Sequence, residues 1–381
     1  MKAHTLGILA AVAVVVVATA WIIASRGGST PAPAGSREAL APSLGERGGQ
    51  IARITLRSAR EQAVLERRDG RWMLASKGGY PADDLAIRDM LRGIDAARIV
   101  EVKTSNPEFY GRLGVDDPDT PGSTAILVRV EDDSGDTIAA LLVGKSESAG
   151  PGAGGMGADT GRFARRVGEA ASLLVRGMPT IQVDPMRYID RDIGSIANER
   201  VRSVTIDHAG RERVHISRAT PEEQSFTLDG MPEGRSLKDQ FALTRVAWAF
   251  AFMTLDDVAP ATEIGVDVEG ASVATFRTFD GLRVDIAMIQ KDGETWATFR
   301  ASAEPAEGES ISEDVAGEVA RLNARWGGWA YKIPDYKAIA LRSTRDDLLA
   351  PAKDAPEALP GPVRVTPTRD APDEDKPNAP E

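Results

Sequence analysis

The 381-residue chain contains no cysteine. That excludes disulfides, thiolate nucleophiles, cysteine-ligated zinc or iron–sulfur centres, and lipid attachment through an N-terminal cysteine. Histidine is scarce, with three residues, and only His208 and His215 fall in the folded body. His208 sits beside Ala209-Gly210 at a hairpin tip, and His215 alternates with Val214 and Ile216, which points it to solvent. A triad or metal site on either is not expected, and no cofactor is called for. Excess positive charge is also lacking. With a net charge of −11 and a pI near 5.0, the chain argues against nucleic acid, whose phosphates demand a basic face. Long apolar runs are missing too, with one exception.

The exception is Leu6–Ala24, LGILAAVAVVVVATAWIIA, 19 uncharged residues. That is close to the roughly 20 needed to cross a bilayer core as a helix. Lys2 and His4 precede it and Arg26 follows; positive charge on the short leading side favours a cytoplasmic N-terminus. A cleavable signal peptide is the competing reading, because Ala18-Thr19-Ala20 has the small-x-small form. The run continues through Trp21, Ile22 and Ile23, past an h-region of about 7–15 residues, so residues 1–26 are expected to be an uncleaved anchor. Membrane lipid is then a partner through residues 6–24, in a single pass with the body exported.

Composition divides the rest. Residues 27–50, rich in Gly, Pro, Ser and Ala, suggest a flexible stalk. Residues 351–381 hold eight prolines and seven acidic residues, a composition expected to be disordered. A Gly-rich stretch, residues 146–161, reads as a loop inserted in the folded body. The body repeats itself. Ile51-Ala52-Arg53-Ile54-Thr55-Leu56 matches Val201-Arg202-Ser203-Val204-Thr205-Ile206, and a second strand follows each. A third strand carries Trp72 in one copy and Phe226 in the other. An amphipathic helix comes next, over Asp83–Arg98 with Ile87, Leu91 and Ile94 on one stripe, and from Ser236 with Leu237, Phe241, Trp248 and Phe252 on one face. Ser236 and Asp239 have capping-box spacing. Leu113-Gly114-Val115-Asp116 then matches Ile264-Gly265-Val266-Asp267, and further strands follow. Short alternating strands favour antiparallel pairing. The expected fold is α+β: two tandem modules, 51–200 and 201–350, each a mainly antiparallel sheet with one amphipathic helix, after an N-terminal transmembrane helix.

These residues carry a resemblance. The order is an anchor, IARITL, DGRWML, Tyr80-Pro81-Ala82-Asp83 opening a helix, and Tyr110-Gly111-Arg112-Leu113-Gly114-Val115-Asp116-Asp117-Pro118. Then come Leu141-Leu142-Val143-Gly144-Lys145 and Trp329-Ala330-Tyr331-Lys332-Ile333-Pro334-Asp335-Tyr336. The chain resembles the bacterial family called domain of unknown function 4340 over roughly Ile51–Leu349, departing from it at the Gly-rich insert and at Phe226. The resemblance implies a membrane-anchored envelope protein of the bacterial inner membrane, its body periplasmic or extracytoplasmic. It also implies an accessory role beside ABC transporter subunits of the gliding-motility type. It supplies no catalytic residues.

The chemical motifs are thin. Gly144-Lys145-Ser146 resembles the end of a phosphate-binding loop, but Ala139 stands where its first Gly belongs and no helix pattern follows, so no nucleotide is expected. The run Gly150–Gly157 lacks the strand–turn–helix context of a dinucleotide site. The pairs Asp83-Asp84, Asp116-Asp117, Asp132-Asp133, Asp256-Asp257 and Asp346-Asp347 suit caps and turns better than opposed catalytic carboxylates. One aromatic cluster, Trp326, Trp329, Tyr331 and Tyr336, has faces able to stack on a sugar or anchor a partner, although spacing also fits a buried stripe. The expectation is a non-enzymatic accessory or scaffold of a transport system. An envelope glycan-binding module using the aromatic cluster is the alternative, and an envelope hydrolase the third.

Overall fold

The computed structural model describes residues 38–147, 161–266, 270–305 and 310–351. The described chain divides into two compact units, one ending at Asp190 and one beginning at Arg191. The run Leu6–Ala24, most of the Gly-rich stretch and the tail after Pro351 lie outside the described residues. Among the described residues no helix is long and apolar enough to cross a membrane.

The first unit runs α1 (Pro42–Glu46), β1 (Ile51–Arg57), β2 (Gln62–Arg68), β3 (Arg71–Leu74), β4 (Tyr80–Pro81), α2 (Asp84–Ala96), β5 (Arg98–Thr104), α3 (Tyr110–Leu113), β6 (Ile126–Asp132), β7 (Thr137–Ser146), β8 (Arg162–Arg166) and β9 (Ser172–Arg176). Its strands form one sheet, ordered β4-β3-β2-β1-β6-β7-β8-β9-β5. The second unit runs β10 (Asp192–Gly194), β11 (Val201–Asp207), β12 (Val214–Ser217), β13 (Thr227–Leu228), α4 (Ala242–Ala247), β14 (Met253–Thr254), β15 (Asp257–Pro260), α5 (Ala261–Ile264), β16 (Ser272–Thr278), β17 (Leu282–Lys291), β18 (Glu294–Ala303), α6 (Glu313–Trp326), β19 (Trp329–Lys332), α7 (Asp335–Leu341) and α8 (Arg345–Leu348). Its main sheet is ordered β13-β12-β11-β16-β17-β18-β19-β15. Each unit is thus α+β, a large antiparallel sheet with few helices.

The two sheets share one connectivity. In each, the strand after the helical segment, β5 or β15, crosses to the far edge beside the last strand, β9 or β19. Even an irregularity repeats: the register of β1 on β6 shifts between Ile51 and Arg53, and that of β11 on β16 between Val201 and Ser203. The extra residue lets Ile51 be buried alongside Ile54 and Leu56 despite its odd spacing. The Leu-Gly-Val-Asp and Ile-Gly-Val-Asp motifs both end a one-turn helix: Gly114 and Gly265 have φ of 69° and 71°, and their N–H groups donate to Tyr110 and Ala261. A left-handed C-cap of this kind favours glycine.

Three expectations are corrected. Residues 38–50 are folded and not stalk: Leu40, Ala41 and Leu44 are buried, Leu40 N–H donates to Ala97 O at 3.0 Å, and Arg166 Nε donates to Leu40 O at 2.9 Å. Composition hid this because a few buried apolar side chains suffice to dock a short segment. The boundary falls at Asp190/Arg191, ahead of 200/201, because β10 pairs with β14 and Trp326 Nε1 donates to Ile193 O at 2.8 Å. The helix expected from Ser236 is confined to Ala242–Ala247, and the long helix of this unit is α6. Around Ser236 the chain is extended, with Leu237 bridging Leu349. Asp239 caps no helix at Ser236; its carboxylate accepts from Phe241 N at 2.8 Å.

The first unit's helix starts where its cap dictates. Asp83 accepts from Leu85 N and Ala86 N, and α2 buries Ile87, Met90 and Ile94. In the second unit the core centres on aromatic rings. Phe250 lies 5.9 Å from Phe276, 5.8 Å from Phe299 and 6.1 Å from Trp326 between centroids, and Phe299 lies 5.7 Å from Tyr331. Such separations are those of favourable tilted and edge contacts.

Candidate functional site

The four sequence candidates separate. Trp326 is buried at the end of α6, its indole N–H donating to Ile193 O at 2.8 Å, and Tyr331 is buried in β19, its hydroxyl donating to Arg325 O at 3.1 Å. Trp329 is half-buried in β19, opposite Pro260 of β15. Tyr336 lies on α7 and is exposed. The structure therefore joins Trp326 and Tyr331 through Phe299 in the core and sends Tyr336 to the surface.

Tyr336 belongs to a different surface, made by α4 and α7. Arg245 forks onto Asp239 at 3.0 and 2.8 Å, bracing the start of α4. The helix buries Ala242, Leu243, Val246 and Ala247, and Phe250 follows them into the core. The large side chains flanking the helix stay out: Phe241, just before it, is 57% exposed, Trp248, just after it, 48%, and Phe252, in the turn beyond, 81%. Phe252 holds φ of +49°, uncommon for a bulky residue, with its N–H on Ser195 Oγ at 2.9 Å. On α7, Lys337, Ala338 and Leu341 face inward, while Tyr336 (66%) and Ile339 (72%) face solvent.

Lys337 ties the two helices together. Its ammonium donates to Ala251 O at 2.6 Å and Trp248 O at 3.5 Å, beyond the carbonyl end of α4 where a cation is favoured. Burial holds this amine below the usual lysine range. At its far end α7 is held by His208, whose Nε2 lies 3.4 Å from Ser343 O while Nδ1 lies 2.9 Å from Ser272 Oγ. Between the helices runs a groove of about 410 Å³, with Ala242 and Ala340 among its lining, Tyr336 and Ile339 as apolar wall, and Lys238, Arg245 and Arg342 against Asp347 as charges. Chemically this surface offers apolar and aromatic contact with a net cationic rim, a combination suited to binding.

Other chemistry-bearing residues have local work. Lys145 Nζ donates to Gly111 O and Arg112 O, both at 3.3 Å, at the carbonyl end of α3. A Cβ on Gly144 would lie 2.4 Å from Leu113 O, so glycine is needed there for close approach of β7 and not for a phosphate. Asp132 accepts from Ser134 N and Asp136 N in a turn, and Asp347 closes a capping box with Thr344. His215 Nδ1 lies 2.8 Å from Thr205 Oγ1 on the neighbouring strand. Among the described residues no group of three or more His, Asp or Glu is arranged to hold a metal ion.

A family model described as Domain of unknown function (DUF4340) matches residues 72–267, half the chain. The protein belongs to that family. No curated protein and no solved structure matches the chain. Within this DUF4340 protein the match starts at Trp72 in β3 and takes in α4 with Phe241, Trp248 and Phe252. It stops short of α7, so Tyr336 and Ile339 lie beyond the family-defined stretch.

The sequence places Leu237, Phe241, Trp248 and Phe252 on one face without fixing where that face points; the structure leaves Phe241, Trp248 and Phe252 exposed. The competing stripe, Ala242-Leu243 with Val246-Ala247 and Phe250, has the same period and smaller side chains. Its signal was that small residues let a helix lie close against a sheet.

Proposed function

We propose that this protein is a non-enzymatic, membrane-anchored envelope protein acting as an accessory or scaffold of an ABC-type transport system. In this reading Leu6–Ala24 crosses the bacterial inner membrane once with the N-terminus inside, and both units lie on the periplasmic or extracytoplasmic side. The observation that carries it is the set of five exposed large apolar side chains on and beside α4 and α7 of the second unit, Phe241, Trp248, Phe252, Tyr336 and Ile339, of which Tyr336 and Ile339 wall the groove between these helices. Clustered exposed apolar surface of this kind marks interaction sites, and Trp and Tyr dominate binding energetics where they occur. The apolar run supports the location, and family resemblance supports the kind of neighbour. The glycan-binding alternative loses two of its four aromatic residues to the core, since Trp326 and Tyr331 are buried.

The test is affinity purification of the full chain from membranes solubilised in mild detergent. The expected result is recovery of a transporter membrane subunit, identified by mass spectrometry, and its reduction at least severalfold by Trp248→Ala with Phe252→Asp. Recovery of no such subunit with the wild-type chain would sink the reading. Protease protection on spheroplasts checks the side: both units should be cleaved without lysis.

A further inference from the structure

We infer that the groove between α4 and α7 is a docking site for the chain's own proline-rich tail, around Leu359–Val365, so that the protein carries an internal competitor for its own interaction surface. The inference rests on reading this surface as a docking face, and it names what occupies that face when no partner does.

The first observation is where the tail departs. The last described residues are stitched beside the groove: Lys238 N–H donates to Leu348 O at 2.8 Å, Ala350 N–H to Ser236 O at 2.9 Å, and Arg235 Nε to Ala350 O at 3.1 Å. Lys238 and Leu348 themselves line the groove. Pro351 follows Leu348 by three residues, so the tail starts within about 10 Å of it at 3.3–3.6 Å per residue. Pro360 and Pro362 come some ten residues later, a reach of up to about 30 Å at 3.1 Å per residue. That is ample to turn back across two helices of about 10 Å diameter.

The second observation is chemical fit. Proline-dense segments bind aromatic-lined grooves because their backbone has little freedom left to lose and their rings lie flat on aromatic faces. The groove has Tyr336 on its wall, and Trp248, exposed at the end of α4, is tied to α7 through Lys337, whose ammonium donates to Trp248 O. The segment Leu359-Pro360-Gly361-Pro362-Val363-Arg364-Val365 is the most apolar part of the tail. Charge also matches. The groove lining carries three cations against one carboxylate, with Arg245 already held by Asp239, while residues 352–381 carry seven acidic residues against four basic. Asp354 and Glu357 stand just ahead of the apolar segment, within reach of Lys238 or Arg342. Tethering supplies an effective concentration of order mM, so a weak contact suffices to fill the groove.

The cysteine-free chain makes the test clean. Ile339→Cys, in the groove wall, is combined with Val363→Cys in the full detergent-solubilised protein, and intramolecular disulfide formation is followed under mild oxidation. The control is Glu212→Cys with Val363→Cys; Glu212 pairs with Arg345 beside the tail's exit but does not line the groove. The groove pair is expected to close at least about tenfold faster than the control, and Trp248→Ala with Tyr336→Ala should erase that advantage while circular dichroism stays unchanged. Equal rates for the two pairs, or an advantage that survives loss of both rings in a folded protein, overturns the inference. Transporter recovery by the wild-type chain is read separately. If it occurs while the two pairs close equally, the docking function stands and the tail's role falls; the converse leaves the tail contact standing without that partner.

Discussion

Single side chains set how much of each unit is committed to packing. Trp326 is both a core ring and the donor that fastens β10, so Trp326→Phe keeps most of the apolar contact but leaves the buried Ile193 carbonyl without its 2.8 Å donor. The expected loss is about 1–3 kcal/mol, the usual penalty for stranding a buried polar group, read by urea denaturation of the second unit's Trp signal. Tyr188 is the matching case in the first unit. Its hydroxyl donates to Gln182 O at 2.8 Å, and burial pushes its pKa up from 10.0 to about 12. Because the folded state holds that proton more tightly than the unfolded chain, stability from this group is full below pH 10 and declines as pH rises toward 12. Ultraviolet titration should show a tyrosine ionising only near pH 12 that is lost in Tyr188→Phe, and the same variant should flatten the alkaline loss of stability.

Helices act here through the division of their faces. Ala242, Leu243, Val246 and Ala247 of α4 went inward while Phe241 and Trp248 at its two ends stayed exposed, and Phe252 was left in a left-handed backbone at 81% exposure. A residue that is strained and exposed contributes little to stability, so Phe252→Gly is expected to change unfolding free energy by no more than about 1 kcal/mol, strain relief offsetting glycine's entropy. It should nevertheless lower partner recovery severalfold. A large stability loss would show instead that the ring has a packing role. Lys337 joins α7 to the end of α4, and Lys337→Ala removes the donor to Ala251 O and Trp248 O. The expected result is about 1–3 kcal/mol of destabilisation and faster amide exchange in both helices, with the first unit's exchange unchanged.

The second unit is closed by a charge network as well as by its core. Arg200 reaches both Asp280 and Glu318 at 2.8 Å, joining the start of β11 to the β16–β17 turn and to α6. Burial pushes the Asp280 carboxyl up, but hydrogen bonds from Thr278 and Arg200 outweigh it and hold the group below its ordinary 3.8. A carboxylate so depressed stabilises the fold fully above that value and loses its contribution as pH falls below it. Acid unfolding followed by circular dichroism should therefore steepen below pH 4, and Asp280→Asn should lower stability at pH 7 while flattening that limb. An acid limb unchanged in the variant would remove this network from the account.

Much of the architecture was legible from local pattern. Alternation in Ile51–Leu56 and Val201–Ile206 gave strands and Asp83 marked the start of α2, because each depends on residues near in sequence, whereas Gly114 and Gly265 were legible only as part of a repeat and their role as helix ends came from the structure. The absence of cysteine likewise constrains chemistry without any coordinates. What sequence could not decide was which stripe of residues 241–252 faces the core, that Leu40 and Leu44 dock a stretch of stalk-like composition, and that Trp326 and Tyr331 turn inward while Tyr336 turns outward. Those outcomes depend on which distant surface reaches each side chain first, Ile193 for Trp326 and Phe299 for Tyr331. Periodicity states that a face exists; only the packed sheet decides which face it takes.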